Sequence, residues 1–140
     1  MEINVLDASK YFKGLLLLIR KDHKVTDIEY NLMARIGKQL GFEKEFCDNA
    51  VQEILRNRFI EDSPPEFSSR ELAAMFIRDG LAVGFCDHEI DRKEVKWLKA
   101  VALKNMLDIA WFDSEMATAR TRAVDADHLE VNNITVTTLV

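Results

Sequence analysis

Cys86-Asp87-His88-Glu89-Ile90-Asp91-Arg92-Lys93-Glu94-Val95 has an echo 65 positions upstream, in Lys21-Asp22-His23-Lys24-Val25-Thr26-Asp27-Ile28-Glu29-Tyr30. Both copies read Asp-His, an aliphatic residue two places on (Val25, Ile90), a capping residue, and a Glu seven places after the Asp. Thr26…Glu29 and Asp91…Glu94 have the spacing of a capping box, in which the cap accepts the third amide and the Glu reaches back to the cap. Each stretch therefore reads as the turn between an incoming and an outgoing helix.

Working outward, Ser9–Lys21 is expected to be a helix with Phe12, Leu15, Leu16 and Ile19 on one face. Leu17 and Leu18 make it apolar most of the way round, which places it in the centre of a domain. After the first turn, Ile28, Leu32, Ile36 and Leu40 recur every four residues until Gly41 ends the second helix. A third begins near Glu43, with Phe46, Ala50, Val51, Ile54 and Leu55 inward. Glu61-Asp62-Ser63-Pro64-Pro65-Glu66 is a linker where helix cannot continue. Ser68-Ser69-Arg70-Glu71 reads as a further capping box opening an apolar helix through Phe85, with Gly80 and Gly84 suited to close packing against a neighbour. Val95, Leu98, Val101 and Ala102 mark the fifth helix. A sixth starts near Asp108 with Ile109, Trp111, Phe112 and Met116.

Overlaid at the same offset, Leu16 falls on Leu81, Leu18 on Val83, Ile36 on Val101 and Phe46 on Trp111. The expected fold is all-α: two pseudo-repeated three-helix units (residues 9–59 and 68–122) packed as one helical domain over 1–122, with a partly extended tail at 123–140. In that tail Leu129, Val131, Ile134 and Val136 alternate around Asn132-Asn133, which suggests extended chain or a small hairpin turning at Asn-Asn. A lone strand in a helical protein has no sheet to join. The readings left open are disorder, a place over a groove, or a homodimer paired through the tail.

A chain of 140 residues is long enough to bury a core without staples. Residues 1–60 carry ten Lys/Arg against nine Asp/Glu, and residues 61–140 carry nine against fifteen. No Lys/Arg cluster interleaved with aromatics suggests binding to a phosphate backbone, so nucleic acid is not an expected partner. Gly14–Ile19 is too short to span a bilayer, so no membrane insertion is expected, though peripheral association is left open. The N-terminus does not read as a secretory signal. Cys47 and Cys86 each follow a Phe in apolar helical pattern and read as reduced thiols, with a disulfide left open by the spacing. Cytoplasmic location is the expectation. Gly-rich phosphate loops, Gly-x-Ser-x-Gly and His-Glu-x-x-His are missing from the sequence, so catalysis is not expected.

Chemistry is concentrated in the paired turns. Asp22 with Glu29, and Asp87 with Glu94, bring carboxylates to the same loop, where turn carbonyls complete an oxygen-rich setting for a divalent cation such as calcium. His23 and His88 add nitrogen ligands that favour a transition metal. The pattern is not an EF-hand, since the Asp-x-Asp-x-Asp-Gly ladder is missing. The competing reading is purely architectural: Glu29 and Glu94 are explained as capping-box residues, and Asp22 and Asp87 as helix terminators. Asp79-Gly80 imitates an Asp-Gly turn but falls within helical pattern, with Cys86 seven residues on.

The apolar central helix, the turn beginning with Asp, the Glu seven residues later and the repetition resemble the TerB-like domain of tellurite-resistance proteins. They are also similar to the region preceding the J-domain of a membrane-anchored DnaJ-like co-chaperone. The resemblance covers about residues 10–122. It implies two helical pseudo-repeats and acidic turns that hold a metal ion, with the family's Asp on Asp22 and Asp87 and its Glu on Glu29 and Glu94. It further implies a non-catalytic role in bacterial stress or envelope-associated complexes, with protein partners. His23 and His88 depart from the family's Asp-Gly, and a histidine lacks glycine's backbone freedom. Two other readings are a metal-free adaptor whose acidic second half docks a basic partner, and a small hydrolase using a metal-bound water.

Overall fold

The computed structural model describes residues 1–22, 25–57, 59–86, 89–122 and 125–137. In order they form β1 (Glu2–Asn4), α1 (Val5–Ile19), a 3-10 turn (Arg20–Asp22), α2 (Asp27–Gln39) and α3 (Lys44–Arg56). Then come α4 (Arg70–Gly84), α5 (Arg92–Lys104), α6 (Ile109–Thr121), 3-10 turns at Ala126–His128 and Glu130–Asn133, and β2 (Thr135–Thr137). The all-α expectation holds.

The repeat is in register along its whole length. α4, α5 and α6 each begin and end 65 residues after α1, α2 and α3, and the lengths are 15, 13 and 13 residues in both sets. The caps keep that offset. Asn4 accepts the Asp7 N–H at 2.7 Å and Ser69 accepts the Leu72 N–H at 3.1 Å, each satisfying an amide that the first helical turn leaves open. Asn4 explains why α1 starts at Val5 rather than near Ser9. Ser69 as the cap also means that the expected Ser68…Glu71 box does not form; the Ser68 N–H and hydroxyl both donate to Asp7. α2 and α5 end alike. Phe42 N–H reaches Gly37 O at 2.9 Å, and Leu107 N–H reaches Ala102 O at 2.9 Å, the long bond of a Schellman turn. The left-handed residue of that turn is Gly41 in one unit and Met106 in the other.

The core is centred on α1 against α4, and its contacts are reciprocal. Tyr11 and its counterpart Phe76 meet edge to face, with centroids 5.3 Å apart. Tyr11 also reaches Asp79, while Phe76 lies over Gly14, the residue in register with Asp79; a Cβ there would stand 2.7 Å from the Phe76 ring. The pseudo-symmetry thus breaks chemically here, where a hydroxyl and a carboxylate replace a ring edge and a glycine. Gly80 packs closely as expected, since a Cβ there would meet Leu98 at 2.8 Å and Leu18 at 3.5 Å. Ile28, Phe46 and Leu55, expected inward, are exposed, while Cys47, Val51 and Ile54 fill the inner face of α3. Of the α6 residues expected inward, Phe112 is fully buried. Cys47 and Cys86 are free thiols.

Chain leaving the third helix of each unit returns over the first. After α3, Lys10 donates to Glu66 O at 3.0 Å, and Pro65 lies beside Gly14. Asn105 pins the same segment, accepting the Phe67 N–H at 2.8 Å and donating to Pro65 O at 2.9 Å. Arg20 and Lys21 both engage the Asp62 carboxylate, whose carbonyl takes the Trp97 indole N–H at 2.8 Å.

The tail after α6 differs from expectation. Asn132-Asn133 is not a hairpin apex but lies in a 3-10 turn, a winding that lets Leu129, Val131 and Ile134 all turn inward and be buried. Nor is the strand without a partner: β2 pairs in parallel with β1, matching Glu2 to Thr135, Ile3 to Val136 and Asn4 to Thr137. Of the three readings of the tail, it is the groove that these residues occupy. Homodimer pairing loses its motive, since the apolar side chains face this chain's own core. No described helix is long and apolar enough to cross a membrane.

Candidate functional site

The capping boxes of the two paired turns form as expected. Thr26 accepts the Glu29 N–H at 3.2 Å, and Glu29 Oε1 accepts the Thr26 N–H at 3.0 Å. Glu94 Oε1 likewise accepts the Asp91 N–H at 3.0 Å, and the Asp91 carboxylate accepts the Lys93 N–H at 2.7 Å. The two glutamates are 4% and 2% exposed, so the anionic ends of both boxes sit inside the protein. Each carboxylate also lies at the positive end of its own helix. Glu29 and Glu94 are thus each committed to the first turn of the helix that they open. The backbone of Asp22 closes the 3-10 turn after α1. The Asp22 side chain, His23, Asp87 and His88 lie outside the described residues. Among the described residues no three His, Cys, Asp or Glu side chains come together as metal ligands, and four of the six expected ligands fall outside that comparison.

A second polar centre was not anticipated. Asp79, in the middle of α4, is 1% exposed and accepts three hydrogen bonds. Its Oδ2 takes the Tyr11 hydroxyl at 2.6 Å and the Val131 N–H at 3.0 Å, and its Oδ1 takes the Glu130 N–H at 2.7 Å. Burial pushes its pKa up to about 7, against the pull of these three donors and with a further push from Glu130. Burial and the Asp79 charge together hold the Tyr11 phenol well above its ordinary value. Every donor on Asp79 comes from another element, Tyr11 from α1 and the two amides from the returning tail.

Beside Asp79 opens a cleft of about 280 Å³ between α4, α6 and the tail, lined by Arg78, Glu115, Arg122, Asp125, His128 and Glu130. Arg78 pairs with Glu115 at 3.1 Å and lies 5.6 Å from the centre of the Trp111 ring. His128 is exposed and has Nδ1 2.9 Å from Asp125. Within these walls Arg78 is paired with Glu115 and His128 with Asp125. Asp79 itself spends its oxygens on the tail's amides, so it acts here as an acceptor that holds chain. In sequence Asp79 is set aside because its Asp-Gly pair lies within helical pattern and has Cys86, not Glu, seven residues on. The usable signal was a carboxylate amid Phe76, Ile77, Leu81 and Val83 in the most apolar stretch of the second unit.

No family model, curated protein or solved structure matches this chain.

Proposed function

We propose that this chain is a non-catalytic, TerB-like module of a bacterial stress response, in which a divalent cation at the Asp-to-Glu turns fastens the end of one helix to the start of the next. The observation that supports it is the repetition of one turn architecture in strict register. A buried glutamate stands at the third position of α2 and of α5, seven residues after an aspartate, in two units whose helices all share the 65-residue offset. Hard divalent cations favour such carboxylate and carbonyl oxygens. A bound ion would neutralise the turn carboxylates and stiffen each helix pair. The test is thermal unfolding with EDTA and then with calcium, zinc, nickel or manganese, in the native chain and in the Asp22→Ala/Asp87→Ala double variant. Metal at a hundred times its Kd should stabilise the native chain by about 2.7 kcal/mol. The double variant should not respond, and superimposable native scans would remove the metal from the proposal.

The alternative is a metal-free adaptor for a basic partner. Residues 61–140 carry fifteen Asp/Glu against nine Lys/Arg, which favours this reading. Binding of a Lys-rich peptide that weakens with salt and ignores EDTA would support it. Absence of binding at low salt would remove it.

A further inference from the structure

The two returning segments are held differently. The first runs from α3 straight into α4 and is pinned at both ends by helix. The second, residues 125–137, leaves α6, crosses α4 and joins β1 through β2. Leu129, Val131 and Ile134 are buried, whereas Asp125, Asp127, His128, Asn132, Asn133, Thr135 and Thr137 are exposed. Leu129, Val131 and Ile134 join the same core as the helices, and with the Asp79 bonds and the β2–β1 pairing they must offset the ordering of thirteen residues. Segments with few buried contacts open at lower free energy than the body that carries them. At the middle of this segment, two successive amides converge on one buried carboxylate.

We propose that residues 125–137 are a latch that lifts from α4 and unpairs from β1 as a unit while the six helices stay folded, with Asp79 as its catch. Docking takes Asp79 out of water and supplies two of its three donors. Lifting gives the carboxylate back to solvent in the cleft and leaves Tyr11 as its remaining partner. Burial raises the Asp79 pKa to about 7 against the pull of its donors; with the latch as the cover that keeps the carboxylate from water, the docked state binds a proton more readily than the lifted one. Protons therefore favour docking, and raising the pH through neutrality loosens the latch. The charged and titratable groups around the catch are Tyr11 from α1, Arg78 on α4, Glu115 and Arg122 from α6, and Asp125, His128 and Glu130 from the latch itself. Among these side-chain types, histidine also titrates near neutrality. His128 is paired with Asp125 inside the latch and travels with it.

Amide hydrogen exchange on the full chain between pH 5 and pH 8, corrected for intrinsic rates, tests the latch. The Glu130 and Val131 amides should exchange through a common opening that is faster than exchange from α1 and α4. Their opening constant should rise by up to about a hundredfold across that range. Asp79→Asn should flatten the rise, and His128→Gln should leave it in place. Latch amides as protected as those of the core, a flat native profile, or an unaltered slope in Asp79→Asn would each overturn the proposal. Should Asp79→Asn fail to fold, Val131→Ala, which touches the latch side, takes its place. It should raise latch opening by about tenfold with core amides unmoved, and equal changes in latch and core would overturn the proposal.

Discussion

Gly41 and Met106 occupy the same place in the two units, and their φ values are 88° and 61°. Glycine adopts this region freely, whereas a residue with a Cβ is strained there by roughly 1–2 kcal/mol. Met106→Gly relieves that strain. It also loosens the unfolded chain, which returns roughly 0.5–1 kcal/mol. The Met106 side chain is 79% exposed, so its removal forfeits little buried surface. The Schellman bond from Leu107 to Ala102 uses only backbone and survives. The expected net gain is about 1 kcal/mol, or about 3 °C in Tm for a chain of this size. Urea unfolding is the suitable assay, because an unchanged m-value with a raised midpoint isolates native-state strain. Gly41→Ala is the mirror experiment: an added Cβ there meets nothing within 4 Å, so the loss of about 1 kcal/mol would come from backbone alone. A Met106→Gly protein that is no more stable than the parent, at equal m, would refute the reasoning.

Gly37→Ala should destabilise by about 1–2 kcal/mol despite alanine's better helix propensity, because the new methyl would overlap Cys47 Sγ and press on Phe12. Combining it with Cys47→Ala should recover much of the loss in a thermal melt, and an additive loss would argue against the clash. Asn105→Leu, which installs the residue that Leu40 supplies in the first unit, should cost about 2–4 kcal/mol in urea, since it strands the Phe67 N–H and the Pro65 carbonyl. Neutrality there would show that water replaces Asn105. Because the folded pKa of Asp79 is raised to about 7, its protonation stabilises the fold fully below about pH 4 and ceases to do so as pH rises through 7. Urea midpoints should therefore fall between pH 4 and pH 7 in the native chain relative to Asp79→Asn, and parallel profiles would contradict this.

The helical frame was legible because its signals are local. Thr26 with Glu29, Asp91 with Glu94, and Gly41 each mark an end within four residues, and the 65-residue offset needs only comparison of the chain with itself. What escaped detection depends on partners distant in sequence. Asp79 makes sense only once Tyr11 and residues 130–131 surround it. The alternation of Leu129, Val131 and Ile134 reads as strand, yet Val131 sits in a 3-10 turn that Leu129 and Ile134 flank. β2 has its partner 133 positions away in a three-residue strand too short to announce itself. Met106 hides a left-handed turn because methionine gives no sign of one. The metal expectation rests on turns whose capping half is visible in the fold, with Glu29 and Glu94 placed as read.

The reciprocal packing of α1 on α4 has a consequence for ancestry. Tyr11 faces Phe76 and Asp79 while Phe76 faces Tyr11 and Gly14, which is the contact rule of a two-fold homodimer written into one polypeptide. A single ancestral half would have carried its most apolar helix uncovered and would have been stable only as a pair. The hydroxyl of Tyr11 and the carboxylate of Asp79 form a pair that no symmetric dimer could have placed once, on one side only.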